Sequence, residues 1–170
     1  MMNSEKRLPM LMARFCTALR FLTILPVSWR AADDPQQFKK CLIFFPIVGA
    51  LVGLVGCLGA YTVSLFLPQQ VVAVIALIYL ALISGFLHLD GLSDSADGLL
   101  SSRPREDCLR IMKDSRAGAM GVIAVVSLML LKYSALSSMA SEEFYPALFF
   151  MPLAGRSAIL FSMARLPYAR

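Results

Sequence analysis

The chain has 170 residues, is 58% hydrophobic and carries a formal net charge of +5. Its mean hydropathy of +0.71 lies outside the range of an ordinary soluble domain, in which roughly half the residues are apolar. The basic residues lie between apolar blocks rather than along one surface, which excludes a nucleic-acid-binding stripe.

Residues 8–25 read as a basic amphipathic helix. Phe15, Leu19 and Leu22 share one face, and Arg14, Thr17 and Arg20 another. Such a helix suits a membrane surface or dips into the protein. The stretch Pro26 to Pro35 breaks it, and Trp29 fits an interfacial anchor. No apolar core followed by a small-residue cleavage site marks a signal peptide.

From Cys41 to Leu89 the chain has no Asp, Glu, Lys or Arg. A spanning helix needs about 20 apolar residues, so this block holds two spans, 42–67 and 71–89. Pro68-Gln69-Gln70 is the turn between them. Gly49, Gly53 and Gly56 recur at i, i+4, i+7 and predict a close packing face. A polar segment with a short helix follows at 90–117. Further spans are expected at 118–140 and 146–164. The fold class is all-α: a single membrane domain over 1–170, with about four spanning helices, the amphipathic helix and the 90–117 loop. The four cysteines show no CxxC pairing and read as free thiols.

Basic residues alternate with the spans. They crowd the segment before the first span and the 90–117 loop, and Arg165 and Arg170 follow the last span. The turns at 68–70 and 141–145 have none. The positive-inside rule therefore puts the N-terminus and the 90–117 loop in the cytoplasm.

The chemistry concentrates in His88-Leu-Asp-Gly-Leu-Ser-Asp-Ser-Ala-Asp-Gly98. At 100° per residue, Asp90, Asp94 and Asp97 fall within about 60° of one helix face. Three like charges at the end of an uncharged span repel one another and resist desolvation. Mg²⁺ resolves both problems, since it takes carboxylate oxygens and keeps waters that a phosphate can replace. The plainer reading is a solvated acidic helix start. Gly91 and Gly98 leave room beside the carboxylates for a substrate or a close backbone.

Met112-Lys-Asp-Ser-Arg-Ala-Gly118 is a second cluster. Asp114 is placed to complete a metal shell, and Lys113 and Arg116 to hold phosphate oxygens; an ordinary basic juxtamembrane loop is the alternative. Arg156 lies in the middle of the last apolar segment and calls for an Asp partner or a diphosphate. Lys132 is a weaker case of the same kind, a residue that faces a polar cavity or, nearer the outer end of its span, simply snorkels. His88 lies on the helix face opposite the aspartates, and a catalytic role is the less favoured reading for it.

These motifs resemble the bacterial cobalamin synthases, the adenosylcobinamide-GDP ribazoletransferases. The resemblance is carried by Arg20-Phe-Leu-Thr-Ile-Leu-Pro26, Phe45-Pro-Ile-Val-Gly-Ala50, the acidic block through Leu99, Met112-Lys-Asp-Ser-Arg-Ala-Gly118 and Gly155-Arg156. It implies a Mg²⁺-dependent enzyme of the bacterial inner membrane. That enzyme would join adenosylcobinamide-GDP to α-ribazole or its 5′-phosphate, with attack of the ribazole 3′-hydroxyl and release of GMP. It further implies metal ligation by Asp90, Asp94 and Asp97, with Asp97 and Asp114 also in the catalytic set. Asp114 is then a further ligand or the base, and Lys113, Arg116 and Arg156 hold the diphosphate. Members usually continue past Pro167-Tyr-Ala-Arg170 with further membrane segments, so the resemblance implies a shortened chain. The partners it implies are these small molecules and membrane lipid, with a homo-oligomer left open. Competing readings are a CDP-alcohol-type phosphotransferase, whose pattern of an Asp-Gly pair, then Ala-Arg, then a Gly and two spaced Asp fits poorly here because Leu-Ser-Asp follows Asp90-Gly91, a cation transporter, and an inactive fragment.

Overall fold

The computed structural model describes residues 4–28, 35–114 and 116–166, with side chains from residue 10 in the first helix and from residue 38 in the second. Trp29, Arg30, Ser115 and Pro167–Arg170 lie outside the described residues, as do the side chains of Lys6 and Arg7. Eight α-helices and one 3₁₀ turn make up the described architecture: α1 (Ser4–Leu22), α2 (Pro35–Cys41), the 3₁₀ turn Leu42–Phe44, α3 (Phe45–Ser64), α4 (Gln69–Ile83), α5 (Leu87–Leu99), α6 (Arg105–Ile111), α7 (Ala119–Ser138) and α8 (Ser141–Arg165). The all-α membrane bundle expected from the composition is what forms.

Three helical stretches are long and apolar enough to cross a membrane: Phe38–Ser64, Ala119–Ser138 and Ser141–Arg165. The expected second span, 71–89, has a different shape. Its helix stops at Ile83, and α4 and α5 meet at an angle of 85°. Gly85 and Phe86 both take the left-handed conformation, with φ of 57° and 60°. Glycine adopts it freely and ends helices, whereas phenylalanine there is strained. At 1.5 Å per residue the 15 residues of α4 reach only about 22 Å. In place of the expected second span stands a bent pair, α4 and α5, which is long and apolar enough to cross a membrane only when the two helices are taken together.

The glycine stripe is a packing seam. A Cβ on Gly49 would sit 2.7 Å from the carbonyl oxygen of Pro152, and one on Gly53 2.5 Å from that of Phe149. Both contacts are with α8, so these two helices meet backbone to backbone. Gly56 faces the ring of Tyr79 on α4 instead. The core has two parts. Val72, Ala73, Ala76 and Leu77 of α4 meet Leu136 of α7 and Phe144 and Leu148 of α8. Ala18 and Leu22 of α1 meet Cys41, Phe45, Val48 and Val52. The first helix thus docks on the bundle through its apolar face, while Arg20 stays exposed.

The two turns without basic residues share one end of the bundle. The Gln69 side chain donates to the carbonyls of Leu136 and Met139. It thereby satisfies acceptors that the end of α7 leaves open. The α4–α5 bend and the α6 region must then lie toward the opposite end.

Candidate active site

All three aspartates of the acidic motif fall in α5. They share one helical face, as their spacing predicts, but they are used differently. Asp97 reaches across to the start of α7. One of its oxygens accepts from Gly118 N at 2.7 Å and the other from Gly121 N at 2.8 Å. The first backbone N–H groups of a helix have no partner inside it, and a carboxylate there also meets the positive end of the helix dipole. Asp97 therefore caps α7 from a neighbouring helix. Space for this contact requires the glycines. A Cβ at Gly118 would overlap the Asp97 carboxylate, and one at Gly121 would overlap both that carboxylate and Ser93 Oγ.

Asp90 is exposed and Asp94 half-buried. Among the described residues neither carboxylate has a hydrogen-bond or ion-pair partner. Beside them, Gly91 opens onto free space, while Gly98 is closed off by Met112 and the Cys108 carbonyl of α6. The two glycines thus serve the two expected uses, open space at Gly91 and a close backbone at Gly98.

Among the described residues no three His, Cys, Asp or Glu side chains converge as a metal cage. Mg²⁺ does not require one. It is commonly held by one or two carboxylates, with waters and substrate phosphates completing its shell. Asp90 and Asp94, free and one turn apart, fit that donor set. Asp97 retains only the lone pairs that its two backbone contacts leave.

The Lys113–Arg116 motif follows α6 and leads directly into Gly118. Lys113 is exposed. Asp114 accepts from Arg116 N at 3.1 Å and from its guanidinium, Nη2 lying 2.7 Å from the carboxylate. These contacts and the nearby charge hold the Asp114 carboxyl down to about 2 and raise the Arg116 guanidinium. Such an acid is ionised throughout the neutral range and is a weak proton acceptor. Since Asp97 holds Gly118, the acidic face and this basic turn are tied together.

Arg156 is placed elsewhere. It lies inside the bundle at 7% exposure. No carboxylate pairs with it, and its Nε and Nη2 are unpartnered. Of the two roles its position suggested, an Asp partner is thus excluded among the described residues. It lines a cavity with His88 and Lys132. The acidic helix face and the basic turn were legible in the sequence. The capping role of Asp97 was not, and the only trace of it was the pair of glycines flanking the start of α7.

The comparisons agree with one another. The family model described as cobalamin-5-phosphate synthase matches residues 14–170. The "Adenosylcobinamide-GDP ribazoletransferase" of Alkaliphilus metalliredigens is 38% identical over 159 residues, covering 94% of this chain and 63% of the relative. The proteins of the same name from Brevibacillus brevis and Geotalea daltonii are 39% and 40% identical, over 92% and 84% of this chain and 63% and 57% of theirs. The chain thus spans about three-fifths of the length of these curated relatives. No solved structure matches it.

Proposed function

The chain belongs to the cobalamin-5-phosphate synthase family, and from that premise we propose that it is a membrane phosphotransferase joining adenosylcobinamide-GDP to α-ribazole or its 5′-phosphate, with release of GMP. The observation that carries the reading is the pair of free carboxylates, Asp90 and Asp94, on a helix face fastened through Asp97 to the segment that follows Arg116. Acid and base side by side suit a diphosphate substrate with a divalent ion. Asp90 and Asp94 would hold Mg²⁺, with Asp97 as a third, weaker ligand, and the bound ion would neutralise charge on the diphosphate.

In this reading Lys113 and Arg116 bind phosphate oxygens at the surface, Arg116 while held in orientation by Asp114. Arg156 takes a phosphate from inside the bundle. The ribazole 3′-hydroxyl attacks the phosphorus attached to cobinamide. The bond from that phosphorus to the bridging oxygen breaks, and GMP leaves with that oxygen. The hydroxyl proton passes to a base. The low pKa of Asp114 favours its role as ligand or positioning group over that of base.

The site would face the cytoplasm of a bacterial inner membrane, as the distribution of basic residues supports. A cation transporter shares one feature with this chain, the broken helix at 84–86. Metal flux into proteoliposomes without nucleotide would favour that alternative. The test of the transferase is GMP release from adenosylcobinamide-GDP and α-ribazole 5′-phosphate by the chain in lipid. Release that stops with a chelator is expected. Release indifferent to chelator would sink the metal assignment, and none under any condition would sink the transferase.

A further inference from the structure

His88 of α5, Lys132 of α7 and Arg156 of α8 line one cavity of about 170 Å³ inside the bundle. Three basic side chains from three helices meet there, and no carboxylate lines it. Arg156 Nε and Nη2 and His88 Nε2 are buried without hydrogen-bond partners. The Ser84 hydroxyl at the cavity wall is spent on the Leu80 and Ala81 carbonyls of its own helix. The remaining wall is largely apolar, with Leu80, Met129 and Met151.

A guanidinium held without a counter-ion between apolar walls is a costly arrangement, and an anion removes the cost. Low polarity around the cavity strengthens that attraction. At about 170 Å³ the cavity has ample room for a phosphate group. The donors also suit tetrahedral oxygens approached from several sides, a guanidinium fork on one and an ammonium on another. Position separates this site from the acidic face. His88 and Asp90 are two residues apart on one helix, so they project about 200° apart.

We propose that this cavity is a phosphate site, in which Arg156 and Lys132 bind the oxygens of a phosphate ester and His88 Nε2 closes a third side. It rests on the transferase reading only for the owner of the phosphate. A substrate phosphate and the headgroup of a membrane phospholipid offer the same chemistry.

The test uses the full chain in a phosphate-free maltoside detergent with chelator present. Binding of radiolabelled pyrophosphate is measured, and retained phospholipid is counted by native mass spectrometry. The wild type should bind pyrophosphate. Arg156→Gln and Lys132→Gln should each weaken binding by about tenfold or more, as lost charge-assisted hydrogen bonds do, whereas Lys40→Gln, at an exposed lysine outside both sites, should leave it unchanged. Lys132 is only half-buried, so its variant carries the test if Arg156→Gln fails to fold. Phospholipid retained by the wild type and lost by both variants, with no pyrophosphate bound, would also support the site and would identify the headgroup as its occupant. Equal binding and equal lipid retention in all variants would overturn it, as would neither ligand on the wild type. Wild-type GMP release, assayed separately, keeps the two readings apart: release that persists when the phosphate test fails leaves the transferase standing without this site.

Discussion

Two junctions in this molecule rest on glycine, and they do opposite things. Where α3 meets α8, Gly49 and Gly53 let backbone meet backbone, and carbonyl oxygens occupy the space a side chain would take. Where α5 meets α7, Gly118 and Gly121 make way for a carboxylate. The first junction is apolar and purely a matter of close packing. The second brings an ionised group to a helix start and, beside it, leaves Asp90 and Asp94 unengaged. Small residues in a membrane bundle therefore mark closeness, and the partner decides whether that closeness serves packing or chemistry.

The comparison predicts a graded set of effects. Gly53→Leu should do the most damage, because its side chain would have to displace the α8 backbone. Overpacking of that kind costs about 3 kcal/mol. Thermal unfolding in detergent would check it, and an unchanged midpoint would mean that the α3–α8 seam is not tight. Arg156→Leu should go the other way and gain about 2.5 kcal/mol in the same measurement, since a charge in mid-span is unfavourable by roughly that much. A loss of stability would show that Arg156 has a partner in the fold.

Asp97→Ala should come next, at about 2 kcal/mol, because it strips two backbone donors of a charged acceptor. Hydrogen exchange would localise the loss to the first turn of α7, and protection there equal to wild type would remove Asp97 from its capping role. The smallest effect is electrostatic. Asp114 ionises at about 2 because Arg116 holds it. Its folded pKa lies below the usual 3.8, so its contribution is present above 3.8 and is lost as pH falls through about 2. A carboxyl NMR titration should return to the ordinary range in Arg116→Gln. If the wild type already titrates near 3.8, the pair does not form.

The sequence carried much of this. Hydropathy located the helices Phe45–Ser64, Ala119–Ser138 and Ser141–Arg165 to within a few residues, because length and apolarity are local properties. The stripe at Gly49, Gly53 and Gly56 named a packing face but not its partners, which proved to be α8 for two positions and Tyr79 for the third. The bend at 84–86 was hidden inside an uninterrupted apolar run, where Gly85 was the only punctuation. Spacing put three aspartates on one face of α5, yet only the fold distinguishes Asp97, which is tied to residues 21 and 24 positions away, from Asp90 and Asp94. The cavity of His88, Lys132 and Arg156 was illegible for the same reason, since its members come from three helices that meet only on folding.

The most direct test of the account is a Mg²⁺ titration of GMP release with wild type and Asp94→Asn. Asp94→Asn should need about tenfold more Mg²⁺ or more for half-maximal release, as expected when one of two charged ligands is lost. An unchanged Mg²⁺ requirement would contradict the placement of the metal on the free acidic face of α5.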